Sequence, residues 1–199
     1  MKLSIDHDVI KALLKCAAKN DVRYYLIGIL VDVRASDVTL VATNGHMLLA
    51  VPYVDEIEGE RTIGQWIIPR EALESVKPCK VGRHALPIVI DIIPDNIVVI
   101  GATTATTKPV DGRYPDWRRV MPARASLEVA QFDPEYVSVF GDVRALLAGG
   151  KAKPVIHHNG NGGALVSGLG REALGVLMPL RVDAVEMVHP GLPAWASMG

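Results

Sequence analysis

The chain has 199 residues, of which 49% are hydrophobic and 5% aromatic, so it can bury a sizeable and mainly aliphatic core. The 21 Lys and Arg against 22 Asp and Glu give a net charge of −1, which excludes a uniformly basic nucleic-acid binder but allows basic residues on one face. Cys16 and Cys79 show no disulfide or metal spacing, and no apolar run reaches about 18 residues. We therefore expect a cytoplasmic protein without a membrane segment, metal or cofactor.

The first predicted unit begins with the short extended segment KLSI, which is followed by a helix. Asp6 or Asp8 can cap this helix, because a carboxylate accepts hydrogen bonds from the unpaired N–H groups of a first turn. Apolar residues recur at three- and four-residue spacing from Val9 onwards, so the helix is predicted to continue to about Ala18. β-rich runs then predict strands at residues 24–33, 38–43 and 46–53.

The second predicted unit begins with the extended segment QWIIP at residues 65–69. Pro69 lies at a position typical of a helix start, and Pro78 ends the short helix that is predicted for residues 71–76. Apolar runs separated by turn residues predict the strands that follow. These strands are expected at residues 88–93, 97–101 and 103–108.

The third predicted unit begins with an extended segment at residues 126–132, SLEVAQF. Asp133 and Pro134 start a helix that is predicted to run to about Ala148, where two glycines end it. The stretch HHNGNGG is a turn between two of the strands that follow. These strands are expected at residues 155–158, 164–169 and 174–179.

The three predicted units share one order of elements, which is a strand, a helix and three further strands. Such a β-α-β-β-β unit exposes an apolar sheet face that must be buried against a neighbour. The sequence therefore predicts an α+β protein of repeated units, with helices on one face of antiparallel sheets. Two units form one natural domain, so the third unit is left over.

Four segments together resemble the beta sliding clamp family, the beta subunit of bacterial DNA polymerase III. They are NDVRYYL at residues 20–26, VATNGH at 41–46, TKPVDGRYPDWRRVMP at 107–122 and LMPLRV at 177–182. Residues 1–122 resemble the middle domain of the clamp, and residues 126–182 resemble the second half of its last domain. Residues 183–199 form a predicted C-terminal tail. The resemblance implies the DNA-clamp fold.

The resemblance also implies a peptide-binding pocket between the middle-like domain and the last unit. Apolar side chains would form its walls, and Arg119 and Arg181 would supply hydrogen-bond donors. Asn44 and Met47 stand where the family has Asp and often Arg, so the peptide preference is expected to differ. The residues that match the pocket are Leu26, Thr43, Gly45, His46, Leu48, Pro115, Arg119, Val120, Tyr136, Val176, Leu177, Met178, Pro179, Leu180 and Arg181.

Lys11, Lys15 and Lys19 follow one another at four-residue spacing, which places three ammonium groups in one column of the first helix. Alone, such a column is typical of a solvated polar face. Together with the resemblance, it indicates a surface for duplex DNA, whose phosphate contacts carry no sequence information and weaken with salt. The predicted DNA-binding residues are Lys11, Lys15, Lys19, Arg70, Lys77, Lys80, Arg144 and Lys151.

The resemblance implies a non-enzymatic processivity factor that encircles duplex DNA and docks DNA polymerase and clamp-loader peptides. No P-loop, dinucleotide-binding or nucleophile motif is present, so no catalytic residue is predicted. A homo-oligomer is expected, because rings of this family use twelve units and three units per chain permit four chains. Alternatively, the third unit pairs with its counterpart in a second chain, or no ring closes. The alternative function is a clamp-like adaptor or decoy that binds clamp-interacting peptides without a ring.

Overall fold

The computed structural model describes residues 1–150 and 153–181 of the chain. The predicted DNA-binding residue Lys151 and the predicted tail at residues 183–199 lie outside the described residues. In the described part, no helix combines the length and the apolar character that a bilayer crossing requires.

The first unit follows the predicted order, with two differences at element ends. α1 ends at Cys16 rather than at about Ala18, because Ala17 has an extended conformation with φ −70° and ψ 149°. The segment predicted as one strand at residues 24–33 begins with a short 3₁₀ helix at Tyr24–Leu26. The elements of the first unit are β1 (Lys2–Ile5), α1 (His7–Cys16), β2 (Gly28–Val33), β3 (Val38–Thr43) and β4 (Met47–Pro52).

The second unit also follows the predicted order and contains one additional hairpin. Its elements are β5 (Gly64–Pro69), α2 (Arg70–Ser75), β6 (Lys80–Val81), β7 (His84–Ala85), β8 (Ile88–Ile93), β9 (Asn96–Ile100) and β10 (Thr104–Thr107). The strands β6 and β7 pair only with each other. They were not predicted, because two residues are too few to show an alternating pattern.

A 3₁₀ helix at Trp117–Val120 precedes the third unit. The Asp133 carboxylate caps α3 by accepting a hydrogen bond from the Glu135 N–H at 2.8 Å, as the sequence indicated. The predicted strand at residues 126–132 is wrong for the described chain, because its backbone hydrogen bonds go to residues 158, 160 and 180, which lie outside the strands, and form no regular ladder. The elements of the third unit are α3 (Pro134–Leu147), β11 (Val155–His157), β12 (Ala164–Ser167) and β13 (Leu174–Leu177).

The first two units are completed by an exchange of their first strands. β1 of the first unit pairs antiparallel with β8 in a sheet of order β1-β8-β9-β10, and β5 of the second unit pairs antiparallel with β2. The third unit joins the first through β13 on β4, which gives a seven-stranded sheet of order β11-β12-β13-β4-β3-β2-β5. The predicted α+β class with antiparallel sheets is therefore confirmed.

The central strands of the seven-stranded sheet are buried on both faces. In β4, Leu49 and Val51 belong to the large core on the helix side, whereas Leu48 and Ala50 belong to a smaller cluster on the other side. This division follows from the strand geometry, because successive side chains point to opposite faces. The smaller cluster, which also contains Trp117, underlies the candidate functional site.

Candidate peptide-binding pocket and basic face

A cavity of about 190 Å³ opens on the sheet face that lies opposite the helices. Its floor is formed by Leu26, Leu48 and Val176, which are all buried. Leu48 in β4 pairs directly with Val176 in β13, so the first and third units build the floor together. The residues that line the cavity are Arg23, Leu26, Thr43, Gly45, His46, Met47, Leu48, Pro115, Asp116, Trp117, Val120, Val176 and Met178.

The turn between β3 and β4 forms one wall of the pocket and is held by its own side chains. The Thr43 hydroxyl donates to the Met47 carbonyl at 2.7 Å and accepts from the Gly45 N–H at 3.0 Å. The Asn44 side-chain oxygen accepts from the N–H groups of His46 at 2.9 Å and Met47 at 3.0 Å. Gly45 has a φ of 90°, a left-handed conformation that favours glycine. The turn therefore fixes His46 at the rim before any ligand arrives.

Arg23 places a positive charge at the edge of the apolar floor. Its guanidinium forms a salt bridge with Asp21 at 2.7 Å and donates to the Asn44 carbonyl at 3.2 Å. The hydrogen bonds from Arg23 lower the pKa of Asp21 to about 2. A Cβ atom at Gly45 would lie 2.9 Å from the guanidinium nitrogens, so Arg23 keeps this position only while residue 45 is glycine.

The opposite wall contains Trp117 and is anchored by a buried carboxylate. Asp32 is 2% exposed and accepts hydrogen bonds from Trp117 Nε1 at 2.9 Å and from Gln65 Nε2 at 3.2 Å. Arg118 also donates to Asp32, and its guanidinium carbon lies 4.0 Å from the centre of the Trp117 ring. Burial alone would raise the pKa of Asp32, but these hydrogen bonds outweigh burial and lower the pKa. Asp32 therefore stays ionised at neutral pH and holds the Trp117 wall in place.

The third unit closes the pocket through two contacts with the β3–β4 turn. The Met178 N–H donates to the His46 carbonyl at 2.8 Å. The Tyr136 ring stacks on the His46 imidazole, with centroids 5.5 Å apart and an angle of 13° between the planes. The complete pocket therefore depends on the packing of the third unit against the first.

Nine of the fifteen residues predicted for peptide binding line this cavity: Leu26, Thr43, Gly45, His46, Leu48, Pro115, Val120, Val176 and Met178. Tyr136 supports His46 and does not itself line the cavity. The prediction for Leu177 is wrong, because this side chain is fully buried in the core on the helix side. Its neighbour Val176 faces the pocket, and successive residues of a strand face opposite sides.

The remaining predicted residues, Arg119, Pro179, Leu180 and Arg181, lie outside the lining of the cavity. Arg119 is exposed on the 3₁₀ helix beside Val120. The chain after β13 turns away from the floor, since the Leu180 N–H donates to the Gln131 carbonyl at 2.8 Å. These residues flank the pocket and do not form its floor.

Four lining residues, Arg23, Met47, Asp116 and Trp117, were not among the predicted site residues. Arg23, Asp116 and Trp117 lie inside the two segments, 20–26 and 107–122, that carried the resemblance. The signal was therefore present, but it did not tell which side chains of each segment face the cavity. Met47 enters through its place at the start of β4, next to His46.

The predicted lysine column is shorter than the sequence indicated. Lys19 lies beyond the end of α1, so only Lys11 and Lys15 stand on the helix itself, although all three side chains are exposed. Lys11 pairs with Asp8 at 2.6 Å and Lys15 pairs with Asp142 of α3 at 2.9 Å. Such exposed ion pairs are weak, so both lysines can exchange these carboxylates for phosphate oxygens.

Arg70 was also predicted to contact DNA, but its side chain is buried and bonded within the fold. Its guanidinium donates to the carbonyls of Ala18 at 3.1 Å and Ala17 at 2.9 Å, and also to that of Leu14. It forms a salt bridge with Glu74 at 2.6 Å. Arg70 therefore satisfies the carbonyls at the end of α1, which have no partner inside the helix.

Arg144 has a similar internal contact, because its side chain is half-buried and donates to the Gly149 carbonyl at 2.8 Å beyond α3. Lys77 and Lys80 are exposed, as predicted for DNA-facing residues. They line a wide concavity together with Lys11 and Arg83, and this concavity also contains Asp6 and Asp8. The positive charge beside α1 is therefore mixed with carboxylates.

Residues 5–116, more than half of the chain, match the family described as DNA polymerase III beta subunit, central domain. The beta sliding clamp of Salmonella typhimurium is 36% identical over 107 residues, which are 53% of this chain and 28% of that relative. The beta sliding clamp of Vibrio cholerae is 35% identical over 111 residues, which are 55% of this chain and 29% of that relative. The match thus covers less than a third of the length of these relatives.

Solved clamp structures share the fold over most of the chain. A DNA polymerase sliding clamp from Pseudomonas aeruginosa with ligand has a TM-score of 0.62 at 20% identity and covers 91% of this chain and 66% of that one. The Helicobacter pylori beta clamp bound to DNA ligase peptide has a TM-score of 0.65 at 14% identity and covers 90% of this chain and 65% of that one. The resemblance seen in the sequence is confirmed, and the chain belongs to the DNA polymerase III beta subunit family.

Proposed function

We propose that this chain is a sliding-clamp protein that docks short linear peptides of replication proteins in the pocket between its first and third units. The observation that carries the proposal is the pocket itself, in which a shared sheet brings an apolar floor and a fixed polar rim together. An extended peptide can place apolar side chains on such a floor while its backbone meets polar groups at the rim.

The size and chemistry of the cavity favour a peptide as the ligand. Sites for drug-sized molecules are roughly 300–1,000 Å³, whereas this cavity of about 190 Å³ suits one or two apolar side chains. Met178 can adjust to different side chains, because its thioether chain is unbranched and flexible. The Arg23 guanidinium at the rim can donate hydrogen bonds to a carboxylate of such a peptide. DNA polymerase and clamp-loader peptides are the proposed partners, and the ligase peptide on the H. pylori clamp supports this class of ligand.

A charged residue on the pocket rim tests peptide docking. Val120 lines the cavity and is 45% exposed, so Val120→Glu adds a charge to the site without opening the core. We expect this variant to bind a fluorescein-labelled polymerase peptide with an apolar end at least about tenfold more weakly, which corresponds to about 1.4 kcal/mol. Val54→Glu is the matched control, since Val54 is 79% exposed and does not line the pocket. Equal peptide affinity in the two variants would reject docking at this site.

The same proposal assigns the face around Lys11, Lys15 and Lys19 to duplex DNA. These three side chains line one concavity beside α1, with Lys77 and Lys80 in the neighbouring one. Contacts between lysines and phosphates exchange readily, which is what a protein that moves along DNA requires. A ring around DNA then needs more than one copy of the chain.

Charge reversal of the three lysines tests the DNA surface. We expect Lys11→Glu, Lys15→Glu and Lys19→Glu together to abolish salt-sensitive association with a labelled duplex, because each lost phosphate contact lowers the salt slope by about 0.9. A control with the same change in charge uses Arg34, Arg61 and Lys108, which are exposed and line neither concavity beside α1. Equal loss in both triple variants would reject the assignment and indicate an effect of net charge alone.

A second candidate function is a clamp-like adaptor or decoy that binds the same peptides without encircling DNA. The use of Arg70 and Arg144 inside the fold favours this candidate, because it removes two cations from the predicted DNA surface. Peptide binding by the wild-type chain without any duplex binding at low salt would select the adaptor. Salt-sensitive duplex binding would select the clamp.

A further inference from the structure

In the third unit, the strand that follows the helix leaves open an edge that is covered in the two sister units. β11 is the last strand of the seven-stranded sheet, so one of its edges faces no strand in the part of the chain that the structure describes. The equivalent strands of the first and second units are β2 and β8. Each receives the first strand of the neighbouring unit, β5 on β2 and β1 on β8.

The first strands β1 and β5 use both of their edges. One edge pairs with the neighbouring unit, and the other edge contacts the chain just after the last strand of its own unit. Lys2 exchanges backbone hydrogen bonds with Glu58, beyond β4, at 2.9 and 3.1 Å. The Ile67 carbonyl accepts from the Val110 N–H, beyond β10, at 2.9 Å.

Residues 129–132 precede α3 as β1 precedes α1 and β5 precedes α2. Only one edge of this segment makes the contacts that β1 and β5 make. The Gln131 carbonyl accepts from the Leu180 N–H, beyond β13, at 2.8 Å, which is the contact that the first two units show. On the other edge, the Ala130 N–H donates to Nδ1 of the His158 side chain at 3.1 Å and not to a strand. The segment is therefore positioned as a first strand, and its partner strand is not supplied by the described part of the chain.

We propose that two copies of this chain complete each other, with residues 129–132 of each copy pairing antiparallel with β11 of the other. The contact is two-fold symmetric, so a single pair of complementary edges forms twice and closes the dimer. Within one chain, β1 pairs with β8 and β5 pairs with β2, so two units exchange their first strands. The proposed dimer makes the same exchange between two chains. The proposal concerns a surface outside the peptide pocket and does not depend on peptide docking.

The internal exchange also predicts the register of this contact. Ile5 and Ile68 each lie two residues before a helix, and both pair at the start of the receiving strand. Phe132 lies two residues before α3, so it should pair at the start of β11, with Val155 or the residue after it. Ala130 would then lie two positions further along β11, where its N–H would bond to backbone.

The two surfaces that would meet are complementary. Val129 is 85% exposed and Val155 is 52% exposed, so a strand placed alongside each would cover part of an apolar side chain that now faces solvent. With Phe132 opposite Val155, Asp133 of one copy is opposite Pro154 of the other, one position from the exposed Lys153. A pairing that covers the open edge of β11 removes a site of unspecific strand addition.

Solution mass and two charged variants test the dimer. Light scattering on the full chain should give twice the chain mass of 21.4 kDa at high protein concentration. Val129→Glu and Val155→Glu should each weaken self-association at least about tenfold, because both exposed residues lie on the two segments that pair and a charge there would have to be partly desolvated. The control Val54→Glu should dimerise like the wild-type chain, and Val129→Glu should keep its affinity for the polymerase peptide.

Hydrogen exchange locates the contact independently of the variants. The amides of residues 129–132 and of β11 should become protected as the protein concentration rises. Protection of β11 at every concentration, in a monomeric chain, would show that a segment of the same chain covers the edge and would overturn the proposal. A wild-type chain that stays monomeric, or a dimer that neither variant weakens, would also overturn it.

Discussion

The first two units and the third unit follow the same order of elements but are completed by different neighbours. The first two exchange β1 and β5, so each sheet gains a strand that the other unit supplies. The third unit packs on the first through β13 on β4 and through α3 against α1, and β11 keeps an open edge. Units with similar local sequence patterns therefore differ in which strand edges are paired, because pairing depends on the unit that packs beside each of them.

Two arginines show the same difference at the level of single side chains. Arg70 is buried and reaches from the second unit to three carbonyls at the end of α1 in the first unit. Arg144 is half-buried and reaches only to Gly149, just beyond its own helix. Arg70 thus joins two units, whereas Arg144 stabilises one helix end.

Removal of the two arginines tests this contrast and should give the largest effect. Arg70→Ala leaves several buried carbonyls without a donor, and we expect a loss of about 3 kcal/mol in the free energy of unfolding. Arg144→Ala removes one hydrogen bond at a partly exposed helix end, and we expect a loss of about 1 kcal/mol. Urea denaturation of both variants measures the difference. Equal losses would mean that Arg70 does not join the first two units more strongly than Arg144 caps its helix.

The helices and most strands of all three units were predictable from sequence, because periodicity and capping residues are local signals. The bonding of Arg70 was not predictable, since its partners are carbonyl oxygens at the end of another helix. In the same way, residues 126–132 have the composition of a strand, but a strand forms only where another strand lies beside it. The local sequence pattern therefore predicts an element, but it does not predict which other element packs beside it.

Asp32 lies where the first unit meets the segment that leads to the third, and its replacement should give the next largest effect. Asp32→Asn keeps the shape but removes the charge that Trp117 and Arg118 contact, so we expect a loss of about 2 kcal/mol in the free energy of unfolding. The Trp117 wall should loosen, and the affinity for the polymerase peptide should fall. Asp37→Asn is the control, because Asp37 also pairs with Arg118 but its side chain is 45% exposed. This variant should change both quantities less.

The effect of Asp32→Asn should depend on pH in a defined direction. The pKa of Asp32 is lowered in the folded chain, relative to an unfolded value of about 3.9. The stabilisation from the ionised carboxylate is therefore complete above that value and is lost as the pH falls through the folded pKa. Urea midpoints of the wild-type chain and the variant should converge below about pH 4. A constant difference across that range would show that the charge of Asp32 is not the source of the effect.

The sequence predicted which segments form the pocket, but it did not predict which side chains of each segment face the cavity. Leu48 and Val176 were identified because they lie next to segments that resemble the family, and the structure places both on the floor. Leu177 was misassigned because the register of β13 on β4 decides which of two neighbouring residues faces the pocket. Trp117 was missed because its position depends on the buried carboxylate of Asp32, which is distant in sequence.

The smallest expected effect lies just before the unpaired residues 129–132 of the third unit. Leu127 has a φ of 66° and is 76% exposed, so its side chain gains little from burial while its backbone is strained. A left-handed conformation costs an L-residue about 1–2 kcal/mol, whereas the greater freedom of glycine in the unfolded chain costs about 0.5–1 kcal/mol. Leu127→Gly should therefore raise the free energy of unfolding by about 0.5 kcal/mol.

The neighbouring substitution Glu128→Gly separates strain from a general effect of glycine. Glu128 is exposed and does not have a positive φ, so glycine brings only its entropic cost there and should lower stability by about 0.5 kcal/mol. Urea denaturation at low protein concentration measures both variants in the same chain context. If one variant gains stability and its neighbour loses it, the backbone strain lies at Leu127, just before residues 129–132. The segments before β1 and β5 contain no equivalent strained residue. Two losses of equal size would instead show that Leu127 relaxes to an extended conformation in solution.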